Sequence, residues 1–410
     1  MTGEKIDKIL ILTGTFGEGH LQVAHAIEQA MKIRSPEIES SVVDFMEWVH
    51  PNLYPLSHYV YMKSIKKFPS LYGYFYRKTY QTNTLSKALN AFFSVGMKKT
   101  LRMLLIYKPS IIVSTYPFAS SVISKLKAYG LIDIPLVTVI TDHTHHSYWL
   151  HAYTDHYLVG SYQVRQQLIR LGIPGRKISY TGIPIKPGFL KPQNKKELCA
   201  KYRLNPDLPT VLVMGGGDGI FASGLFRVEK LDTIPFSIQL LIVCGHNEKL
   251  RAQLEQNLKG TKHAVYIKGY VNDVTDLMAV SDCMVTKPGG VTTSEALAME
   301  LPMILYKALP GQEEDNAAFL IQAGVAVQAA DEQDLLQKLI ELLKHRERLA
   351  KMKNSTKNIQ NKEAAFRALH VICQSKASKW LDTPKRQIPF MVRGKYSRMK
   401  KKAWLMNQPH

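Results

Sequence analysis

Ile9-Leu10-Ile11-Leu12-Thr13-Gly14-Thr15-Phe16-Gly17-Glu18-Gly19-His20 opens on an unbroken apolar run and closes on a glycine-rich turn. Residues 21–34 then repeat their apolar positions at helical spacing. A strand apolar on both faces, followed by a turn and a helix, is a repeating unit of a parallel sheet covered on both sides. Residues 42–44, 111–114, 136–141 and 157–159 read as further buried strands, each leading into a Gly- or Ser-containing turn or a helical segment. This alternation predicts a doubly wound α/β domain.

The pattern breaks at Ile183-Pro184-Ile185-Lys186-Pro187-Gly188 and Lys191-Pro192, which can hold neither a helix nor a central strand. A second series starts at Thr210, with Val211-Leu212-Val213-Met214 followed by Gly215-Gly216-Gly217-Asp218-Gly219. Strands are predicted again at 238–243, 265–267, 283–286 and 303–305. The expectation is two Rossmann-like domains, 1–186 and 187–380, with a basic tail at 381–410. Ligands of such sheets bind beyond the carboxyl ends of the strands, so a cleft between the two halves is expected to hold the site.

The 410 residues are 45% hydrophobic and 21% charged, the balance of an ordinary globular chain. Cys199, Cys244, Cys283 and Cys373 lie far apart, without the spacing of a disulfide framework or a zinc knuckle, so a reducing compartment is expected. No apolar run approaches the ~18 residues of a membrane-spanning helix. Met1 to Lys8 has no signal-peptide anatomy, so the protein is expected to be neither secreted nor integral.

The net charge of +21 is concentrated. Residues 48–132 carry twelve Lys and Arg and no acid, and the tail after Asp382 carries eight more. The remainder is nearly neutral, with 34 basic and 33 acidic residues. Two basic regions on a neutral body point to an anionic partner, either a membrane surface or a nucleic acid. In residues 54–102, Tyr72, Tyr74, Phe75, Tyr76 and Tyr80 interleave with Lys63, Lys66, Lys67, Arg77 and Lys78, and Phe92, Phe93, Met97 and Leu101 follow at helical spacing. An amphipathic helix on the core would explain the spacing, and a solvated face the charge. Aromatic residues among cations without acids suit a lipid headgroup layer better.

Two glycine turns carry candidate chemistry. In the first, Gly17 and Gly19 let the backbone approach a ligand, and the helix behind them presents unpaired N–H groups. Gln22 stands where a dinucleotide fingerprint needs its third glycine, so this signal alone is weak, and His20 could equally pack or act. The second, Lys287-Pro288-Gly289-Gly290-Val291-Thr292-Thr293-Ser294-Glu295-Ala296, is more specific. Amides from Gly289 to Thr293 would face a diphosphate, Glu295 could accept from a ribose diol, and Lys287 adds positive charge for an anionic leaving group. Downstream, Gln312, Glu313 and Asn316 offer groups for sugar hydroxyls. His143, His145, His146, His151 and His156 form no metal motif, and no Asp-x-Asp is present, so no metal and no cofactor is expected.

These segments resemble the monogalactosyldiacylglycerol synthase and processive diacylglycerol glucosyltransferase family, relatives of the glycosyltransferase that completes the lipid-linked peptidoglycan precursor. The resemblance rests on TGTFGEGHLQVAHAIEQA (13–30), VITDHTHHSYWLH (139–151), YTGIP (180–184), CGHNEKL (244–250), and VTKPGG, TTSEA and PGQEEDN within 269–316, in family order. It implies the GT-B fold, with an N-terminal acceptor domain and a C-terminal nucleotide-sugar domain. By that resemblance Gly217, Gly290, Thr292, Thr293 and Glu295 would hold the nucleotide, and Gln312, Glu313 and Asn316 the hexose. His20 and Asp142 would be the catalytic candidates, with Gly17, Gly19, His146, Trp149 and His151 on the acceptor side. Glu18, and Ala152 after His151, depart from the usual pattern, and the tail after Asp382 has no counterpart.

The expected activity is inverting transfer of a hexose, glucose before galactose, from a UDP-sugar to the hydroxyl of 1,2-diacylglycerol. Either His20 or Asp142 would serve as base. The enzyme would work at the cytoplasmic face of an anionic phospholipid membrane as a peripheral protein. The alternatives are a UDP-N-acetylhexosamine transferase acting on a polyprenyl lipid, and a basic nucleic-acid-binding protein; no nucleic-acid motif accompanies the charge, so nucleic acid is not an expected partner.

Overall fold

Six short runs build the first sheet: β1 (Lys8–Thr13), β2 (Glu39–Asp44), β3 (Ile111–Ser114), β4 (Leu136–Val139), β5 (His156–Val159) and β6 (Ile178–Tyr180). They pair in the order β2-β1-β3-β4-β5-β6, all parallel. The second sheet comprises β7 (Thr210–Met214), β8 (Gln239–Val243), β9 (Ala264–Lys268), β10 (Cys283–Thr286), β11 (Met303–Tyr306) and β12 (Ala326–Ala329). Its order is β12-β11-β10-β7-β8-β9, again all parallel. The computed structural model describes residues 6–14, 18–51, 69–81, 96–215, 227–272 and 274–378.

Alternation along the strands explains why both faces of each sheet are covered. In the second sheet Val211, Val213, Leu240, Ile242 and Val285 belong to one apolar cluster, while Leu212, Met214, Leu241, Val243 and Met284 belong to another. The two clusters are the two faces, each closed by helices. In the first sheet Leu10, Leu12 and Ile112 pack with Leu101 and Leu104 of helix Met97–Tyr107, and with Val122 and Leu126 of helix Pro117–Ala128.

The described residues of Met1–Ile140, His145–Tyr180 and Phe366–His410 form one unit, and those of Thr141–Thr144 and Thr181–Ala365 another. This departs from the expected division at three places. Ile185 and Phe189 are buried in a core cluster of the second unit, so the boundary falls at Tyr180 rather than at 186. From Phe366 onward the chain belongs with the first unit: Arg34 lies 4.7 Å over the Phe366 ring, and the Ser378 N–H donates to Asp155 at 2.7 Å. Thr141, expected to close a strand of the first domain, and the three residues after it group instead with the second unit.

Not all of the basic stretch is surface. Lys127 and Asp155 are an ion pair with 1% of each side chain exposed. Ile134 O also accepts from Lys127, and Asp155 also accepts from the Leu136 N–H. Such a pair survives burial because its remaining donors and acceptors are satisfied. Most of the predicted insertion, like the tail after residue 378, lies outside the described residues. Within the insertion, helix Pro69–Thr79 turns Tyr76 and Thr79 inward and leaves Leu71, Tyr74 and Phe75 about half exposed, at 54%, 51% and 46%.

Candidate functional site

In the first sheet the chain moves from β1 outward to β2 and then crosses back to β3 on the other side of β1. That reversal is a topological switch point, where the carboxyl ends of β1 and β3 leave a crevice. His20, in the first turn of helix Glu18–Arg34, comes to this place. Its backbone carbonyl accepts from the Thr115 hydroxyl at 3.0 Å, just past β3. Its ring meets Tyr116 and Trp149 edge-on, with centroids 5.5 and 5.9 Å away. Burial pushes its pKa down to about 4, opposed by a hydrogen bond to the Thr115 backbone. The imidazole is therefore neutral at physiological pH, with one nitrogen able to take a proton. Gly19 lies beside His20 in the same turn, whereas Gly17 lies outside the described residues.

The other acceptor-side candidates, His146, Trp149 and His151, make their contacts within the protein. His146 is 1% exposed, and both ring nitrogens are engaged: Nδ1 accepts from the Tyr148 N–H at 3.2 Å, and Nε2 donates to Tyr76 O at 2.9 Å. Both polar atoms of the ring expected on the acceptor side are thus engaged within the protein. His151 Nε2 donates to Pro117 O at 3.1 Å, and its backbone N–H donates to the Tyr157 hydroxyl at 3.0 Å. Burial pushes His146 and His151 down to about 4. Trp149 is fully buried in the core and meets the His20 ring edge-on. The five clustered histidines thus go separate ways, His145 to Tyr80 and His156 to Ser179.

The second sheet has its own switch point between β7 and β10, and the Lys287-Pro288-Gly289-Gly290 turn sits at the carboxyl end of β10. Helix Gly290–Ala298 begins there with Gly289 as its cap residue. Thr293 is the first residue whose N–H finds an acceptor within the helix, Gly289 O at 3.0 Å. The N–H groups of Gly290, Val291 and Thr292 point out of the helix start. Gly290 has no room for a side chain, since a Cβ there would stand 2.1 Å from Thr141 O and 3.1 Å from Asp142 Oδ1.

That contact explains the grouping of Thr141–Thr144. Asp142 accepts from the Gly290 backbone, from Asn316 Nδ2 at 2.9 Å and from the Thr141 hydroxyl at 3.2 Å. Its carboxylate therefore caps helix Gly290–Ala298 from another segment of the chain. Burial raises the Asp142 pKa, the hydrogen bonds from Asn316 and Thr141 oppose this, and the nearby Asp315 charge adds to it. Asn316, fully buried, also donates to Pro288 O at 2.9 Å and accepts from the His143 N–H at 2.7 Å. Both amide hydrogens and the carbonyl of Asn316, expected to hold the hexose, are engaged within the protein.

Glu313 is similarly committed: Oε1 receives Lys287 Nζ at 3.1 Å, and Oε2 receives the Leu309 N–H at 2.8 Å. The pair fixes the loop ahead of helix Gln312–Gln322 and holds the Lys287 cation beside the glycine turn. Thr293 turns its hydroxyl onto Gly289 O at 2.8 Å, Glu295 is buried, and Thr292 and Gln312 are half-buried. Gly217 lies outside the described residues. One element escaped the sequence reading. Beyond the ends of β8 and β9, His246 and Tyr270 stack at 4.1 Å, and Tyr270 lines a groove of about 500 Å³ with Tyr202, Arg251, Lys268 and Asn272. A planar nucleobase would fit such a platform; the signal, Gly269-Tyr270 after a strand, was visible but too short to read.

Residues 20–185 match the family described as monogalactosyldiacylglycerol (MGDG) synthase, and residues 231–359 that described as glycosyl transferases group 1. The processive diacylglycerol beta-glucosyltransferase of Bacillus mycoides (strain KBAB4) is 34% identical over 364 residues, 88% of this chain and 92% of the relative. That of Bacillus cytotoxicus is 32% identical over 373 residues, 90% and 94% of the two chains. Among solved structures, Acinetobacter baumannii MurG is similar with a TM-score of 0.59 at 14% identity, over 90% of this chain and all of that one. The S. aureus MnaA–UDP structure gives 0.59 at 14% identity, over 89% and 96%. At such identity the structures speak for the fold, two Rossmann-like domains of the GT-B type.

Proposed function

We propose, for a chain that belongs to the monogalactosyldiacylglycerol synthase and processive diacylglycerol glucosyltransferase family, that it transfers a hexose from a UDP-sugar to the hydroxyl of 1,2-diacylglycerol with inversion at the anomeric carbon. The observation that carries this reading is the glycine turn at the switch point of the second sheet. Its helix start offers the Val291 and Thr292 N–H groups to a departing diphosphate, with the Lys287 ammonium alongside. The platform of His246 and Tyr270 would take the uracil, and Glu295 the ribose. Leaving-group charge is met by backbone and lysine, so no metal is assigned.

His20 is the better base. Its lowered pKa keeps it neutral, and its place at the first switch point suits a group that must meet the glycerol hydroxyl. Asp142 already accepts from three donors and caps the helix start, a supporting part for the donor side. Glucose is favoured over galactose on resemblance. The acceptor stays in a bilayer, and exposed Leu71, Tyr74 and Phe75 beside Arg77 and Lys78 suit contact with an anionic surface, with the enzyme held peripherally at the cytoplasmic face.

The test is glycolipid synthesis by purified protein with UDP-glucose and UDP-galactose in parallel. His20→Ala is expected to lose about 10²- to 10⁴-fold in turnover at saturating substrates, and Asp142→Asn far less. Near-normal turnover by His20→Ala would remove the imidazole from the mechanism. No product from either donor would overturn the assignment of substrate.

A further inference from the structure

The helix read as facing the lipid and the base read as deprotonating the lipid hydroxyl are joined by one short turn. Helix Pro69–Thr79 has eleven residues, too few to be stable in isolation. Its inner side is held by the turn Ser147–Trp149 and the histidine before it. Tyr76 O accepts from His146 Nε2 at 2.9 Å, Thr79 O accepts from the Ser147 hydroxyl at 2.6 Å, and Tyr80 O accepts from the Ser147 N–H at 3.0 Å. The Tyr76 ring lies 4.3 Å from the His146 ring, and Tyr148 covers His146 at 4.2 Å. Tyr148 in turn meets Trp149 at 5.7 Å, and Trp149 meets His20 at 5.9 Å.

We propose that His146 is a positioning residue that couples the seat of helix Pro69–Thr79 to His20, so that contact of the helix with a lipid surface is felt at the base. Its two nitrogens do different work. Nδ1 caps the turn by accepting from the Tyr148 N–H, which obliges Nε2 to carry the proton and donate to Tyr76 O. The burial that pushes its pKa to about 4 keeps this tautomer neutral at physiological pH. A shift of the helix on binding is transmitted through a buried, close-packed chain of rings. The inference rests on the lipid-facing reading of Leu71, Tyr74 and Phe75.

Two variants separate capping from coupling. His146→Asn keeps an acceptor for the Tyr148 N–H but is too short to reach Tyr76 O, whereas His146→Gln reaches the helix and caps poorly. Turnover is compared on monomeric dioctanoylglycerol and on diacylglycerol in phosphatidylglycerol vesicles. Amide hydrogen exchange of residues 145–149 is followed with and without vesicles lacking diacylglycerol. The wild type is expected to gain about tenfold or more on vesicles and to slow exchange at 145–149. His146→Asn should bind vesicles normally and keep monomeric turnover within about threefold, yet lose most of the vesicle gain and the exchange response. His146→Gln should restore both. The proposal is overturned if His146→Asn retains the gain, if it loses both turnovers by the same factor, or if the wild type shows neither response. An intact exchange response in a protein that makes no glycolipid would leave the coupling standing and sink the substrate assignment instead.

Discussion

Gly290→Ala puts a methyl group into the most crowded point of the donor side. The added Cβ would lie 2.1 Å from Thr141 O, where an ordinary contact needs 3.4 Å or more, and the obstacle is backbone rather than a flexible side chain. Relief requires roughly 1 Å of backbone movement in either Thr141 or the helix start, in a close-packed interior. Overpacking of this kind costs about 1–3 kcal/mol. The movement also pulls Asp142 from Gly290 and Asn316, and hydrogen bonds to a charged group contribute about 1.5–3 kcal/mol. The expected loss in stability is thus about 3–5 kcal/mol, read by urea unfolding. The Val291 and Thr292 N–H groups move with the turn, so UDP affinity by calorimetry should fall about tenfold to a hundredfold. Gly289→Ala is the control for folding: nothing lies within 4 Å of its Cβ, and its φ of −74° with ψ of 138° suits alanine. It should cost under about 1 kcal/mol as a poorer cap. A Gly290→Ala protein that unfolds at the wild-type denaturant concentration and binds UDP within twofold would refute the reasoning.

His143→Leu should stabilise the protein, most of all in acid. The ring stacks on Phe319 at 3.9 Å, and neither of its nitrogens meets a partner among the described residues, so burial pushes its pKa down to about 3. The unfolded chain binds that proton near pH 6.5 and the folded chain does not, so stability is lost as pH falls from 6.5 towards 3, by about 2 kcal/mol at pH 5. Unfolding at pH 7.5 and pH 5 measures it; an identical wild-type-to-variant difference at both pH values would contradict the assignment. Lys127→Met should cost about 3–5 kcal/mol by stranding Asp155, and Lys127→Met with Asp155→Asn should recover part of that, since the uncharged amide keeps one oxygen for one of the two N–H groups, Leu136 or Ser378, that the carboxylate oxygens accept from separately. Vesicle binding should not change in either variant, because this lysine is not on the surface. Weaker vesicle binding with unaltered unfolding would be the opposite result.

The strands were legible because they are apolar on both faces and end in glycine turns; Ile111–Ser114 and Cys283–Thr286 stand where their residues predict. Ile178–Tyr180 and Ala326–Ala329 were not, being an edge strand of three residues and an edge strand half alanine. Family membership was legible too, since it rests on short local strings.

What each polar side chain does with its atoms was not legible. Lys287, Glu313 and Asn316 read as ligand groups from their types, and His146 from the family resemblance alone. The fold gives Glu313 to Lys287, Asn316 to Asp142 and Pro288, and His146 to helix Pro69–Thr79. Sequence determines which donors and acceptors exist and the local periodicity that buries them. Only the tertiary structure decides which of them pair, because a partner such as Asn316 for Asp142 stands 174 residues away, and no local spacing encodes a hydrogen bond at that separation. The same holds for the two glycines of one turn: identical in sequence, they differ because the carbonyl of Thr141 rests on Gly290 and nothing rests on Gly289.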